Sequence, residues 1–330
     1  MTEFAQLQGS RILVTGGAGM LGSCIAHLAL EAGAHVVVLD AMLPLYGGNA
    51  ANLPDAQDEF RFVVGDIRDA VLMRGLVATV DYVFSLAAQV SYVDADRDPF
   101  MDLDINCRGH LTLLEACRAV GRRPKMIFAS SRFVYGRIEY NPVDEKHPFN
   151  CLSMYGVHKL AGEKYYGFYN RIHDIPAVAL RIANPYGPRQ QMRHAKYGIV
   201  NWFIRMALSG EPLTVYGDGA QVRDYIYVED LARAFLAVAV ADATTDETFN
   251  VGSGVGTRFR DMVQMIADEI PGTNVISVPW PPSRALVETG DYITDIGRLC
   301  AATNWSPSVS LRDGIKLAAD YYRARRHLYW

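Results

Sequence analysis

Short apolar runs rich in β-branched residues alternate with longer helical patterns through the first half of the chain. Arg11–Thr15, His35–Leu39, Phe60–Val64, Tyr82–Ala87, Lys125–Ser130 and Ala177–Arg181 read as buried strands. Between them, apolar residues recur at helical spacing, notably over Ile25–Leu30, Asp104–Val120 and Met154–Ile172. This alternation predicts an α/β fold: a doubly wound parallel sheet with helices on both faces and right-handed crossovers. From Asn184 the texture changes. A turn-rich break, Asn184–Arg189, leads into a helical run at Ile199–Leu208. Gly210–Val228 reads as strand, Gly217-Asp218-Gly219 turn and strand, followed by a helix at Val228–Val240. Phe249–Gly254 reads as a strand with a glycine exit, Pro271–Ser283 as a loop without periodicity, and Leu311–Arg323 as the last helix. We expect a first domain over residues 1–183 and a smaller, partly interleaved one over 184–330, with segments near 225–254 returning to the first.

The first strand runs straight into Gly16, Gly17, Gly19 and Gly22. A strand, a glycine-rich turn and a helix start form a dinucleotide-phosphate site, since glycines let backbone approach the pyrophosphate and the helix N-terminus offers free N–H groups. The spacing, G-x-x-G-x-x-G at Gly16, Gly19 and Gly22, also suits a tight turn with no ligand. Asp40 adds to the signal. It ends the second apolar run about twenty residues on, where a carboxylate accepts hydrogen bonds from a ribose. The same charge repels a 2′-phosphate, so the expected cofactor is NAD rather than NADP. Met20 and Leu21 open the helix beside the phosphates. Asp66 and Ile67 follow the third strand, where Asp66 either holds an adenine edge or belongs to a plain turn before a helix capped by Asp69. Leu86, Ala87 and Ala88 follow the fourth strand and are small enough for backbone to lie against a cofactor.

Half of the 330 residues are hydrophobic, which supplies ample core, and the net charge of −4 asks for neither nucleic acid nor an acidic membrane. Five cysteines without C-x-x-C spacing read as reduced thiols. MTEFAQLQGS lacks the basic start and apolar core of a signal peptide, and no apolar run approaches a membrane span, so a cytoplasmic protein is expected. The histidines form no metal-ligand pattern, and no metal is expected.

The candidate chemistry centres on Tyr155 and Lys159. Four residues apart on a helix, they share a face. An ammonium nearby favours tyrosinate, and a Tyr so tuned serves as general base toward a sugar hydroxyl and later as general acid. The same spacing also suits a solvated helix face. Ser130 and Ser131 end a predicted strand, where open α/β sheets hold their ligands, so that Ser131 can share the substrate oxygen with Tyr155.

With these pieces the chain resembles the extended short-chain dehydrogenases/reductases of the nucleotide-sugar epimerase/dehydratase family. The resemblance rests on TGGAGMLG (15–22), GDI (65–67), LAA (86–88), SSRFVYG (130–136), YGVHK (155–159), NPYGPRQ (184–190) and YGDGAQVRDYIYVEDLARA (216–234). It implies a tightly held NAD, a catalytic set of Ser131, Tyr155 and Lys159, and a second domain that binds a nucleotide-diphosphate sugar, UDP by default. On the substrate side it implies that Asn184 contacts the sugar or its phosphate, Arg223 clamps the diphosphate and Tyr216 borders the base. Asp230 is expected to orient that loop or to cap the following helix. Arg284 is either a second diphosphate arginine or a surface residue. Ser91 and Tyr92 stand where some relatives have a lysine on NAD and are expected to face the sugar.

Two positions discriminate among reactions. Dehydratases of the family follow the hydroxyl residue with Asp-Glu, and decarboxylases keep the Glu; here Ser131 is followed by Arg132-Phe133. Neither is an acid or base for elimination near neutral pH. The expectation is therefore a 4-epimerase acting through a 4-keto sugar, with a 4-keto-sugar reductase as the alternative and a non-catalytic NAD sensor disfavoured by the intact Tyr and Lys. Arg132 either meets a carboxylate on the sugar, which suits a uronic acid, or points into the domain interface. The family usually forms homodimers through two helices per subunit, here Asp104–Val120 and Met154–Ile172. The aromatic and basic tail Tyr321–Trp330 either packs on the second domain or hangs loose.

Overall fold

The computed structural model describes residues 3–44, 46–55, 58–280 and 288–330. In chain order its first unit comprises β1 (Arg11–Thr15), α1 (Met20–Glu31), β2 (His35–Asp40), β3 (Phe60–Val64), α2 (Ala70–Val77) and β4 (Tyr82–Ser85). It continues with α3 (Tyr92–Arg97), α4 (Pro99–Leu103), α5 (His110–Val120), β5 (Lys125–Ser131), α6 (Met154–His173) and β6 (Ala177–Ile182). There follow β7 (Asn184–Tyr186), α7 (Ile199–Leu208), β8 (Leu213–Tyr216), β9 (Val222–Tyr227), α8 (Val228–Val240), β10 (Thr248–Val251), β11 (Gly256–Arg258), α9 (Phe259–Glu269) and β12 (Val275–Val278). Two helices, Gly297–Thr303 and Leu311–Tyr329, complete the described chain.

Seven strands form one parallel sheet in the order β10-β6-β5-β4-β1-β2-β3, the Rossmann arrangement extended by a seventh strand. The strands are apolar on both faces because both are covered. On one side α1 and α8 pack on Ile12, Val14, Ile127 and Leu180 through Ile25, Leu231 and Phe235. On the other, α2, α5 and α6 bury Met73, Leu114 and Tyr166 against Leu13, Val83 and Phe128. The chain from Val228 to Val251 thus lies in the large sheet unit, as α8 and β10. The rest of the second half has its own core, in which Phe203, Ile204, Met262, Ile266, Ile315 and Tyr322 are buried. Its strands form a three-stranded sheet, β11-β9-β7, and a two-stranded parallel pair, β8 and β12.

Four elements depart from the sequence reading. Asp104–Gly109 is a π-turn rather than the start of one long helix. The wider turn brings Asn106 inward, where its amide donates to Gln89 O and Asp102 Oδ1, each at 2.9 Å. Val275–Val278 is a strand inside the supposed loop; it is the exposed edge of a two-stranded sheet and so carries no burial period. Asp230 neither caps α8 nor touches the loop before it. Its carboxylate accepts from Ser308 N, Ser308 Oγ and Val309 N and so ties the segment ahead of the last helix. That last helix runs to Tyr329, with a kink at Arg325.

The tail beyond the kink is fastened across the molecule. Tyr329 donates to Asn52 Oδ1 at 2.6 Å, and Asn49 Nδ2 donates to Leu328 O at 2.8 Å. Asn52 Nδ2 in turn reaches Ala18 O, at 2.8 Å, and Arg189 O, at 2.9 Å. The C-terminal helix is thereby linked to the glycine-rich turn and to the connection between the two units.

A buried ion pair joins α6 to the sheet. Arg181 on β6 forks onto Glu163 on α6, with Nε and a terminal nitrogen at 2.9 and 2.8 Å from the two carboxylate oxygens. Ser130 on β5 donates to the same carboxylate. Arg181 also donates to the Tyr135 hydroxyl at 2.9 Å, and that hydroxyl donates to Asn250 on β10. Glu163→Gln keeps the volume and leaves Arg181 uncompensated, so a loss of ~3–5 kcal/mol in unfolding free energy is expected. Urea denaturation would read it as a lower midpoint at constant slope. A loss below about 1 kcal/mol, the range of exposed pairs, would refute the anchoring role.

Candidate functional site

The order of strands leaves a crevice at the C-terminal ends of β1 and β4, where helices leave toward opposite faces. The turn after β1 fills it tightly. Gly16 has φ +68°, and a Cβ there would lie 2.9 Å from the Ala87 backbone. At Gly22 a Cβ would lie 2.4 Å from Gly16 O. Thr15 Oγ1 accepts from the N–H groups of Leu86 and Ala87 at 3.1 and 3.2 Å, which pins the exit of β4 against the turn. Gly19 caps α1 without a side chain, so no side chain competes for the first-turn N–H groups near Met20 and Leu21.

Asp40 ends β2 beside this turn. Its carboxylate accepts from Ala18 N at 3.1 Å and Met42 N at 2.9 Å, which fixes its orientation and leaves lone pairs for a ligand. Burial raises its pKa, and the two N–H groups oppose that shift. Asp66 also lines the crevice, with its carboxylate engaged by Arg68 at 2.7 and 2.9 Å, which lowers its pKa. Asp69 caps α2 through Val71 N and Leu72 N. The cradle without Cβ atoms, the uncapped helix start and the fixed acid at the second strand end together fit a dinucleotide with a free ribose diol.

One continuous cleft of about 820 Å³ runs from the glycine turn to Tyr216 and Trp280. Gly16, Gly19, Met20, Leu21, Asp40, Asp66, Ile67, Leu86, Ala87 and Ala88 line one end. Ser131, Arg132, Tyr155, Lys159 and Asn184 line its middle, and Tyr216 and Arg223 the far end. Ser91 does not line it. That residue is buried and its hydroxyl accepts from Asp94 N as the cap of α3, so the next residue, Tyr92, faces the cleft instead. Arg284 lies outside the described residues.

Ser131 sits at the last position of β5, and its hydroxyl lies within reach of the Tyr155 hydroxyl on α6. Burial pushes the Tyr155 pKa well above the usual phenol range; the hydrogen bond with Ser131 opposes this and the Asp102 charge adds to it. Lys159 is buried, and its ammonium donates to Ala129 O at 2.8 Å, two residues before Ser131. Burial pushes its pKa down to about 8, against the opposing pull of Asp102. The ammonium stands 5.8 Å from the Tyr155 ring centroid. Asp102 is itself held by His158 Nδ1 at 2.5 Å and by the amides of Gln89 and Asn106 at 3.0 and 2.9 Å. A fixed buried carboxylate therefore stands behind the ammonium.

Among the described residues, two guanidinium groups line the cleft. Arg223 pairs with Glu288 and donates to Gly290 O at 3.1 Å. Arg132, only 7% exposed, donates to two neutral acceptors: Asn184 Oδ1 at 3.2 Å and Thr289 Oγ1 at 3.3 Å. Its guanidinium lies over the rings of Phe133, at 4.7 Å, and Tyr292, at 5.2 Å. Asn184 spans the gap by donating to Asp224 O at 2.6 Å. The rings of Tyr216 and Trp280 are tilted by 44° with centroids 5.6 Å apart, an aromatic wall suited to a flat heterocycle. The sequence reading did not assign Trp280, Tyr225, Gln190, Lys196 or Glu288 to the site, yet all line the cleft. Gln190 ends the NPYGPRQ motif and Tyr225 lies within the 216–234 motif, so both lay inside a signal; Trp280 falls in the Pro271–Ser283 stretch read as a loop without periodicity. Lys196 reaches the site through an ion pair with Asp94, at 2.6 Å, that joins residues 102 positions apart and leaves no local pattern.

Comparisons with known proteins agree with this geometry. A UDP-glucose 4-epimerase from Mycolicibacterium smegmatis is 36% identical over 95% of this chain and 98% of its own length. A dTDP-glucose 4,6-dehydratase from Xanthomonas campestris is 31% identical over 94% of this chain and 92% of its own length. Among solved structures, a UDP-glucose 4-epimerase from Thermotoga maritima, determined with UDP-glucose, superposes with a TM-score of 0.86 at 33% identity, covering 95% of this chain and 99% of that one. The model of the NAD dependent epimerase/dehydratase family matches residues 12–252. With its cradle for NAD and with relatives matched over nearly their whole lengths, this chain belongs to the NAD dependent epimerase/dehydratase family.

Proposed function

We propose that the protein is a 4-epimerase of a nucleotide-diphosphate sugar, with Ser131, Tyr155 and Lys159 as its catalytic set. The observation that carries this reading is the composition of the cleft wall at Ser131. The two residues that follow are Arg132, which remains protonated, and Phe133, whose ring stacks on Tyr92 at 5.5 Å and meets Tyr155 edge-on at 5.7 Å. Neither supplies the acid or base that elimination requires. The similarity to UDP-sugar 4-epimerases supports the same reading.

The residues divide the work as follows. Gly16, Gly19, Met20 and Leu21 hold the dinucleotide phosphates, Asp40 a ribose, and Ile67, Leu86, Ala87 and Ala88 line the remainder of its path. When bound, NAD supplies the acceptor and donor for the hydride on the reacting carbon. Tyr155 takes the proton of the sugar 4-hydroxyl, and Ser131 shares that oxygen. Lys159 favours the tyrosinate by its charge and is fixed by Ala129 O. Arg223, by releasing or sharing Glu288, meets the diphosphate, and Tyr216 with Trp280 borders the base. The 4-keto sugar turns over within the cleft, and Tyr155 returns the proton after reduction from the opposite face.

The test begins with the protein as purified. Denaturation is expected to release NAD, and the native protein is expected to interconvert 4-epimers of a UDP-sugar without added cofactor. Turnover of 4-keto sugars alone, and only with added NAD(P)H, would replace this reading by a reductase.

Tyr155→Phe is expected to lower kcat by about 100-fold to 10,000-fold, the range for a positioned acid-base group, with KM little changed. The pH profile follows from Lys159. Its lowered pKa means that the ammonium is charged below pH about 8 and neutral above it. The kcat/KM of the wild type is expected to fall as pH rises through that value. Lys159→Met, already slow, is expected to lack that limb. A limb that survives the substitution would assign it to another group.

A further inference from the structure

Arg132 is the one guanidinium in the middle of the cleft whose charge meets no carboxylate among the described residues, and none of the residues outside that set is acidic. The nearby acid, Glu288, is already paired with Arg223. A buried guanidinium is ordinarily matched by an anion, because desolvating an unpaired charge is costly. Burial accordingly pushes the Arg132 pKa down to about 10, and Arg223 adds to that shift. The Tyr225 hydroxyl, which lines the same stretch, also finds no hydrogen-bond partner among the described residues. One cation lining the cleft and one buried hydroxyl beside it thus keep unused donors.

The position of Arg132 narrows the anion. It follows Ser131 directly, and its guanidinium lies over Phe133, whose ring edge meets Tyr155. A sugar oxygen held between Ser131 and Tyr155 therefore leaves the neighbouring ring substituent facing Arg132. The diphosphate falls to Arg223, a neighbouring guanidinium near enough to act on Arg132. We propose that Arg132 selects nucleotide-diphosphate sugars with a carboxylate on the ring carbon next to the reacting one, that is, hexuronic acids; the proposal rests on the epimerase reading above. A carboxylate can take a fork of two N–H donors from Arg132, and its second lone pairs suit the Tyr225 hydroxyl. There is a chemical reason for such a clamp. A hexuronate oxidised at carbon 4 is a β-keto acid, which readily loses carbon dioxide as the carboxylate charge moves into the ring. An ion pair that holds the charge on the carboxylate opposes that loss and retains all six carbons.

The experiment compares UDP-glucuronate and UDP-galacturonate with UDP-glucose and UDP-galactose, on the holoenzyme, by kcat/KM and by calorimetric binding. The wild type is expected to prefer the acidic pair by about 100-fold, the scale of hydrogen bonds to a charged group in a buried site. Arg132→Gln, checked for folding by circular dichroism, is expected to reduce the ratio to about one, chiefly through KM, and Arg132→Lys to retain part of it. Equal or better use of the neutral pair by the wild type would overturn the proposal and leave the epimerase reading intact. A preference that persists in Arg132→Gln would also overturn it, as would a KM that rises equally for both pairs, the mark of a diphosphate contact. Interconversion of neither pair, or release of carbon dioxide with a UDP-pentose, would overturn the epimerase reading itself, and the proposal with it. Should Arg132→Gln fail to fold, the wild-type ratio and Arg132→Lys still decide.

Discussion

The Glu163–Arg181 pair fixes the relation between the helix that carries Tyr155 and Lys159 and the strand that ends in Ser131. Glu163 sits one turn beyond Lys159 on α6, and Arg181 lies on β6, the strand next to β5. Ser130 completes the carboxylate from β5. A helix packed on a sheet by apolar contacts alone can slide by a fraction of a turn at modest cost. A bidentate fork between buried charges has one geometry, and displacement leaves both groups desolvated and unpaired. The Lys159 hydrogen bond to Ala129 O adds a second point on the same helix. Two fixed points on α6 define its rotation and its height, and so bring the Tyr155 hydroxyl opposite Ser131.

The cofactor end is held by a different device. The glycine turn is tight because backbone meets backbone, Gly16 against Ala87 and Gly22 against Gly16. Such contacts set shape but offer few hydrogen bonds to keep the turn closed. Asn52 supplies one by donating to Ala18 O, and Asn52 is itself held by Tyr329 from the far end of the chain. Tyr322 adds a bond to Gly187 O in the connection between the units. The C-terminal helix therefore couples the glycine-rich turn to the connection between the two units, which gives the aromatic tail a structural reason that its sequence did not reveal.

Legibility followed locality. The strands of the large sheet, α7 and α8 were readable because each is a contiguous apolar run whose period reports its burial. The glycine turn, Asp40 and the Tyr155–Lys159 spacing were readable because a few adjacent residues define each. What escaped was decided elsewhere in the chain. The π-turn at Asp104–Gly109 depends on Gln89 and Asp102 receiving Asn106. β12 depends on β8, more than fifty residues away, and Asp230 was expected to orient the preceding loop or cap α8 because its partners at Ser308 and Val309 leave no local trace. Ser91 was read as facing the sugar, although the capping of α3 takes its hydroxyl inward by one residue.

The pair of residues after Ser131 changes the cleft in two ways at once. Phe133 brings an aromatic ring against Tyr92 and Tyr155, so the site there is apolar and has no proton to give. Arg132 brings a charge whose hydrogen bonds go to Asn184 and Thr289, both uncharged. The rings of Phe133 and Tyr292 hold the guanidinium in place without neutralising it. A bulky apolar residue at one position would suffice to remove elimination chemistry, and an alanine would suffice at the other. A buried arginine in that second place is costly to fold unless something in the working complex compensates for it. Among the described residues it is met only by two uncharged acceptors and two aromatic faces, because the protein's own acid in this region is committed to Arg223. The absence of an acid or base for elimination and the presence of a buried guanidinium without a carboxylate partner are thus two consequences of the same pair of residues.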